Sequence, residues 1–287
     1  MLTSHFARNG DIVTAYHDEG RGDPLVLLHG FTGSKLDFHD QVPWFADEFR
    51  VLAPDQRGHG ESSNLGRVEA YSLDLLVEDL AGFFNTIDIQ RVHLLGHSMG
   101  GMVAMRFALR YPERLASLML MDTAAEPLTM FPSTVREHLA KEVRANGSAS
   151  LVNMMRAMPM GDAAARGRDY LGSDEHWRRI ELKLSQMDPE AWVALGDELT
   201  NQPSVLGELH TIDVPPTILV GEFDVPFVEP SARMAQNIPG ARLETIPLAG
   251  HCPQYENADV WRAVVQAHMA RADWTPRSDA RRPRPTL

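Results

Sequence analysis

Gly96-His97-Ser98-Met99-Gly100-Gly101 follows the apolar run Val92-His93-Leu94-Leu95 and precedes Met102-Val103-Ala104-Met105-Arg106-Phe107-Ala108. That layout predicts a strand, a tight turn carrying a glycine-flanked serine, and a helix. With G-x-S-x-G spacing such a turn is a nucleophile elbow, which lifts a serine hydroxyl above the end of a sheet. Glycine is needed there because a side chain would strike the neighbouring strand or helix, or oppose a strained backbone. The serine oxygen then stands at a helix N-terminus, where backbone N–H groups favour negative charge. Ser98 is the candidate nucleophile.

The flanking sequence carries the same alternation outward. Ile12 to His17 alternates with period two, Gly20-Arg21-Gly22-Asp23 signals a turn, and Leu25 to Leu28 is continuously apolar. A continuous apolar run suits a strand buried on both faces. Val51 to Ala53 and Leu118 to Met121 read as further strands, and Asp74 to Thr86 as a helix. Strands alternating with helices predict an α/β fold with a mostly parallel sheet flanked by helices.

From about Ala124 to Thr211 the pattern turns all-helical, with helices expected over Ser133 to Asn146, Leu151 to Met158, Glu175 to Met187 and Pro189 to Leu199. Strands return at Thr217 to Val220 and Leu243 to Ile246, and Val260 to Arg271 reads as a closing helix. The expected organisation is a core of residues 1–124 and 212–272, a helical cap insertion over 125–211, and a disordered Pro- and Arg-rich tail over 273–287. A helical insert of this kind is expected over the carboxyl edge of the sheet, where open α/β sheets bind ligands. Its methionines Met154, Met155, Met158 and Met160 suit either an adaptable apolar pocket wall or core filling between small helices.

Composition narrows the function classes. The 287-residue chain carries a net charge of −12 and is 44% hydrophobic. An acidic chain with no basic stripe before its last residues argues against nucleic acid as a partner. No apolar run is long enough for a membrane span, and the first residues lack a signal-peptide core. A cytoplasmic protein is the expectation. The single cysteine, Cys252, forms no internal disulfide and reads as a small buried residue.

A serine needs a base, and the base needs a carboxylate to fix its tautomer. Ala249-Gly250-His251-Cys252-Pro253 is a loop after the last strand, which makes His251 the candidate base. Gly221-Glu222-Phe223-Asp224-Val225-Pro226 follows the preceding strand and offers Asp224 as the acid. Glu222 is nearer the strand end, and Asp122, at the end of the strand beside the elbow, is an alternative acid. An oxyanion needs N–H donors. Met99 would supply one and Phe31, in the loop His29-Gly30-Phe31-Thr32-Gly33-Ser34, the other, with His29 bracing that loop. The polar turn Asp55 to Ser63 lacks phosphate-loop spacing and reads as structural, and His93 with His97 lies off any single helix face, against a metal pair.

Taken in order, His29-Gly30-Phe31, Asp55 to Ser62, Gly96 to Gly101, and Asp224 with His251 resemble the α/β-hydrolase fold superfamily over about residues 10 to 272. The resemblance implies an eight-stranded sheet with a helical cap before the seventh strand. It is nearest to small capped bacterial serine hydrolases: 3-oxoadipate enol-lactonases, carboxylesterases, meta-cleavage C–C hydrolases and cofactor-free haloperoxidases. It implies an esterase or lactonase acting through an acyl-enzyme on a small, mostly apolar substrate, with no metal and no organic cofactor. Serine at position 98 argues against the aspartate-dependent dehalogenases and epoxide hydrolases. The C–C hydrolases usually carry asparagine where this chain has His97. Lyases of menaquinone biosynthesis share the His-Gly-Phe and Ser-Met-Gly-Gly patterns, and some hormone receptors share the fold. Neither a lyase, a perhydrolase, a receptor nor a homodimer is decided by these residues.

Overall fold

The computed structural model describes residues 2–128, 132–214 and 216–272. Eight strands form one sheet: β1 (His5–Asn9), β2 (Ile12–Glu19), β3 (Asp23–Leu28), β4 (Phe49–Pro54), β5 (Val92–His97), β6 (Leu115–Met121), β7 (Thr217–Gly221) and β8 (Arg242–Ile246). Their order is β1-β2-β4-β3-β5-β6-β7-β8, antiparallel across β1, β2 and β4 and parallel thereafter. The α/β-hydrolase architecture expected from the sequence is what the chain adopts.

The central strands are apolar because both their faces are covered. Every residue of β5, β6 and β7 is buried, whereas only Ala7 of β1 and Ile246 of β8 are. Period-two alternation then divides the side chains between two cores. Leu94, Leu118 and Leu120 pack with Leu76, Phe84, Val103 and Phe107 of the helices Leu73–Thr86 and Met99–Arg110. Leu95, Met119 and Met121 point the other way, toward Trp261 and Val265 of the helix Ala258–Met269. The Trp261 indole N–H donates to Met121 Sδ at 2.9 Å, so the largest buried ring also has its polar atom satisfied.

The register brings the strand ends level. Leu28 pairs with Gly96, His97 with Met121, Met121 with Leu219, and Gly221 with Ile246. The loops that follow β3, β5, β6, β7 and β8 therefore rise from one edge, and those loops carry Phe31, Ser98, Asp122, Asp224 and His251.

Between β6 and β7 run the helices Ser133–Asn146, Leu151–Ala157, Asp162–Leu171, Ser173–Ser185 and Pro189–Asn201. Three of them, Ser133–Asn146, Leu151–Ala157 and Ser173–Ser185, share a small core built on Val143, Leu151, Val152 and Leu184. Ion pairs fasten them to the loop after β3: Lys183 to Asp37 at 2.6 Å and Arg179 to Asp40 at 2.5 Å. On the other side, Asp188 accepts from the Tyr71 hydroxyl and from the Gly66 N–H.

Among the elements beyond the sequence reading are β1, the helix Asp162–Leu171 and the helix Val225–Asn237. Asp162–Leu171 buries only Ala163 and Gly167, so it has no stripe of large apolar residues to betray it. Edge strand β1 is likewise mostly exposed. The stretch 273–287, expected to be a disordered tail, lies outside the described residues. Among the described residues no helix is long and apolar enough to cross a membrane.

Candidate active site

The elbow is built by close packing. Ser98 has φ 54° and ψ −119°, a conformation that costs a non-glycine residue about 1–3 kcal/mol. Neighbouring groups hold it there. Its N–H donates to Met121 O at 2.8 Å, and its carbonyl accepts from Thr123 Oγ1 at 2.6 Å and from Gly101 N at 2.9 Å. A Cβ on Gly96 would collide with the Gly100 carbonyl, and one on Gly100 would come within 2.6 Å of Leu28 O. These contacts are with backbone, which cannot give way. Gly100→Ala is therefore expected to destabilise the fold by at least about 2 kcal/mol. Urea denaturation checks it, and an unchanged midpoint would contradict the packing argument.

Asp224 leaves the end of β7 and precedes the helix Val225–Asn237. Its Oδ2 accepts from the Nδ1–H of His251 at 2.7 Å, which leaves the ring's other nitrogen free to take a proton. Asp224 is buried, whereas the His251 side chain is 40% exposed. Phe227 stacks on the His251 ring at 4.9 Å between centroids, and His97 lies 4.8 Å from it. His97 also donates from Nε2 to the His251 carbonyl at 2.7 Å, joining the elbow to the histidine loop. Burial pushes His97 down to about 3, so it stays neutral.

Ser98, His251 and Phe31 line one cavity of about 310 Å³. Among the described residues no hydrogen bond joins Ser98 Oγ to the His251 ring. Such bonds often tighten only when substrate binds. No intramolecular hydrogen bond of the described residues takes up the N–H of Phe31 or of Met99. Both donors thus remain available beside the serine.

The remaining candidates sort themselves by their partners. His29 sits deep under the loop, donating from Nδ1 to Gly30 O at 2.8 Å and accepting at Nε2 from Gln56 N at 3.0 Å. Burial drives it down to about 4, which suits a neutral brace. Arg57 is spent on Asp79 and on Ala70 O, a structural use with no vacant anion site. Glu222 accepts from Leu248 N at 2.8 Å and is exposed. Asp122 is fully buried, and one of its oxygens, one of Asp224 and a His251 nitrogen lie within 4.8 Å of one another. His93 bonds Ser117 Oγ within the sheet.

One expectation needs correction. Cys252 is not a core residue: it is half-buried on the cavity wall, with burial lifting its thiol well above the ordinary range. A protonated thiol is no rival nucleophile. Of the four methionines only Met155 reaches the cavity, and Met154 and Met158 are 43% and 56% exposed. The helix Leu151–Ala157 is short and turns most of its residues outward.

The sequence reading missed the ionic part of the wall. His176, Arg179 and Lys183 lie on one face of the helix Ser173–Ser185 and border the cavity. Burial would raise the Asp37 carboxyl, but the Lys183 ammonium at 2.6 Å outweighs it and holds it below the usual range. Glu256 was missed too. Its Oε2 accepts from Gly250 N at 2.5 Å and Cys252 N at 3.3 Å, clamping the backbone on both sides of His251. A carboxylate five residues past a loop histidine was the only available signal.

Fold and site together define the class. A profile of the alpha/beta hydrolase fold family matches residues 23–258, and the chain belongs to that family. A Bacillus subtilis (strain 168) protein provisionally named 2-succinyl-6-hydroxy-2,4-cyclohexadiene-1-carboxylate synthase is 30% identical, covering 94% of this chain and 99% of its own. A Burkholderia vietnamiensis 2-hydroxy-6-oxononadienedioate/2-hydroxy-6-oxononatrienedioate hydrolase is 31% identical, covering 89% of this chain and 90% of its own. Among solved structures, a thermophilic esterase from Thermogutta terrifontis matches with a TM-score of 0.81 at 29% identity, covering 94% of this chain and 99% of that one.

Proposed function

We propose that this chain is a serine hydrolase that cleaves an ester or lactone of a small carboxylic acid through an acyl-enzyme. The observation that carries the reading is the 2.7 Å bond from His251 Nδ1 to Asp224, made beside Ser98 on the wall of one cavity. Ser98 Oγ attacks the substrate carbonyl while His251 takes its proton and passes it to the leaving oxygen. Asp224 fixes the His251 tautomer and stabilises the imidazolium. The N–H groups of Met99 and Phe31 hold the oxyanion. His251 then activates water, which releases the acid and frees Ser98. The helices of residues 125–211 act as a cap that shapes the acyl and alcohol subsites.

The cavity wall supports a mixed substrate. Phe31, Leu171 and Ile180 give it an apolar side, and the helix with His176, Arg179 and Lys183 gives it a polar one. A cavity of about 310 Å³ sits at the small end of ligand sites and favours short acyl chains. p-Nitrophenyl acetate and butyrate are expected to turn over at least about tenfold faster than the decanoate ester. Preference for the long chain would contradict the cavity as the acyl site.

A second reading uses the same residues on a carbon–carbon bond or in an elimination. The two relatives at 30% and 31% identity, one named as a synthase and one as a dienedioate-type hydrolase, favour keeping it. Turnover in 18O-labelled water separates the readings on any accepted substrate. Ester, lactone and C–C hydrolysis place one labelled oxygen in the acid product, whereas elimination places none, and the identity of the second product tells ester from C–C cleavage.

A further inference from the structure

Asp122 is buried beside the proposed acid yet has no place in the scheme above. It follows β6 with φ 46°, pinned by its own N–H on Leu219 O at 2.9 Å. Oδ1 accepts the Gly221 N–H at 2.8 Å. Oδ2 is fully buried and has no N–H or O–H donor among the described residues. An ionised Asp122 would therefore place a second negative charge against Asp224, with one buried oxygen that no protein donor among the described residues reaches. Both arrangements are costly.

One proton removes both costs. Carried on Oδ2, it cancels the charge and turns an unpartnered acceptor into a donor, with an Asp224 oxygen within 4.8 Å of the Asp122 carboxyl to receive it. The proton belongs on Asp122 because Asp224 already has the His251 ring N–H to stabilise its charge. We propose that Asp122 is a positioning residue that stays protonated at neutral pH and donates a hydrogen bond from Oδ2 to Asp224. This rests on the reading of Asp224 as the acid that orients His251.

The surroundings agree. Burial, and then the charge of Asp224, lift the Asp122 carboxyl well above its ordinary range; Glu256 adds to the rise and the Gly221 N–H opposes it. Also about the cluster are His251, the proposed base, His97, which burial keeps neutral, and Cys252, whose thiol burial raises. A neutral acid fixes Asp224 without adding a second charge near His251. A protonated Asp122 also lacks the negative charge that would stabilise the imidazolium, so in this scheme Asp224 and not Asp122 serves as the acid.

Infrared difference spectra in D2O at pH 7, wild type against Asp122→Asn, test the proton directly. The protonated-carboxyl C=O band is expected in the wild type and absent from the variant. No such difference would overturn the proposal. Kinetics give the second reading. Asp122→Leu, which keeps the bulk without the donor, should lower kcat at least about tenfold with KM little changed. Asp122→Asn keeps an N–H for Asp224 and a carbonyl for Gly221, so it should recover most of that loss and leave the acid limb of the kcat/KM profile in place. If Asp122 were ionised, removing its charge with Asn would move that limb down by about one pH unit or more. The infrared band is read on the resting protein, so it decides Asp122 even if no ester proves to be a substrate and the hydrolase reading fails.

Discussion

Ser98→Ala lowers kcat/KM on the best ester about 100,000-fold while leaving the fold intact. The size follows from the way nucleophile, base and acid act as a unit, so that removing the nucleophile alone forfeits nearly all of their joint effect. Residual turnover is expected from the proposed oxyanion donors, the Met99 and Phe31 N–H groups, and from binding. Stability changes in a way that identifies the elbow. Ser98 sits at φ 54°, and alanine inherits that strain, whereas glycine relieves it. Ser98→Gly is therefore expected to be as inactive as Ser98→Ala but about 1 kcal/mol more stable, or about 2–4 °C in Tm. Steady-state kinetics and calorimetry of the two variants check both halves. Near-full activity in Ser98→Ala would sink the mechanism, and a less stable glycine variant would contradict the strain.

Acid is expected to unfold this protein early, because six of the described histidines are buried and burial lowers all of them, five to about 4 or below. Burial pushes His29 and His93 down to about 4, and His59, His97 and His268 down to about 3, from an ordinary 6.5. The folded values lie below the unfolded one, so the unfolded chain binds protons that the folded chain refuses. The stability these groups allow is fully present above about pH 6.5 and drains as pH falls toward 4. Each drains it by up to about 1.4 kcal/mol per pH unit. Asp79, Asp122 and Glu256, whose carboxyls are raised by burial, bind protons first in the folded state and offset part of the loss. A domain stability of about 5–15 kcal/mol is then exhausted above pH 4. Urea denaturation at pH 7.5, 6 and 5 should show a steep fall below 6, and His59→Gln should shallow it by about one proton. Equal stability at pH 7.5 and 5 would contradict the burial of these rings as neutral groups.

The site was legible where its chemistry is local in the chain. Gly96, Gly100 and Ser98 announce an elbow because one turn must pass between a strand and a helix without Cβ atoms. Asp224 and His251 stand on loops that each follow a buried apolar strand, and the parallel sheet carries both to one edge. What the sequence hid depends on contacts made only in the folded state. Lys183 finds Asp37 across 146 positions, and nothing near either residue signals the pair. Glu256 looks like a surface carboxylate until the loop folds its Gly250 N–H against it. Asp122 was visible as a candidate acid, but which carboxyl keeps the proton depends on how few donors reach Oδ2. The methionine cluster left pocket wall and core filling undecided because its spacing says nothing about which way a short helix turns; Met155 borders the cavity and the other three do not.

The most direct test of the central claim is labelling of the wild-type protein with a fluorophosphonate, followed by peptide mass spectrometry. The account predicts one adduct per chain, on Ser98, formed in step with loss of ester turnover and absent from Ser98→Ala. Loss of turnover with Ser98 unmodified, or an unreactive Ser98 in a protein that still cleaves esters, would contradict it.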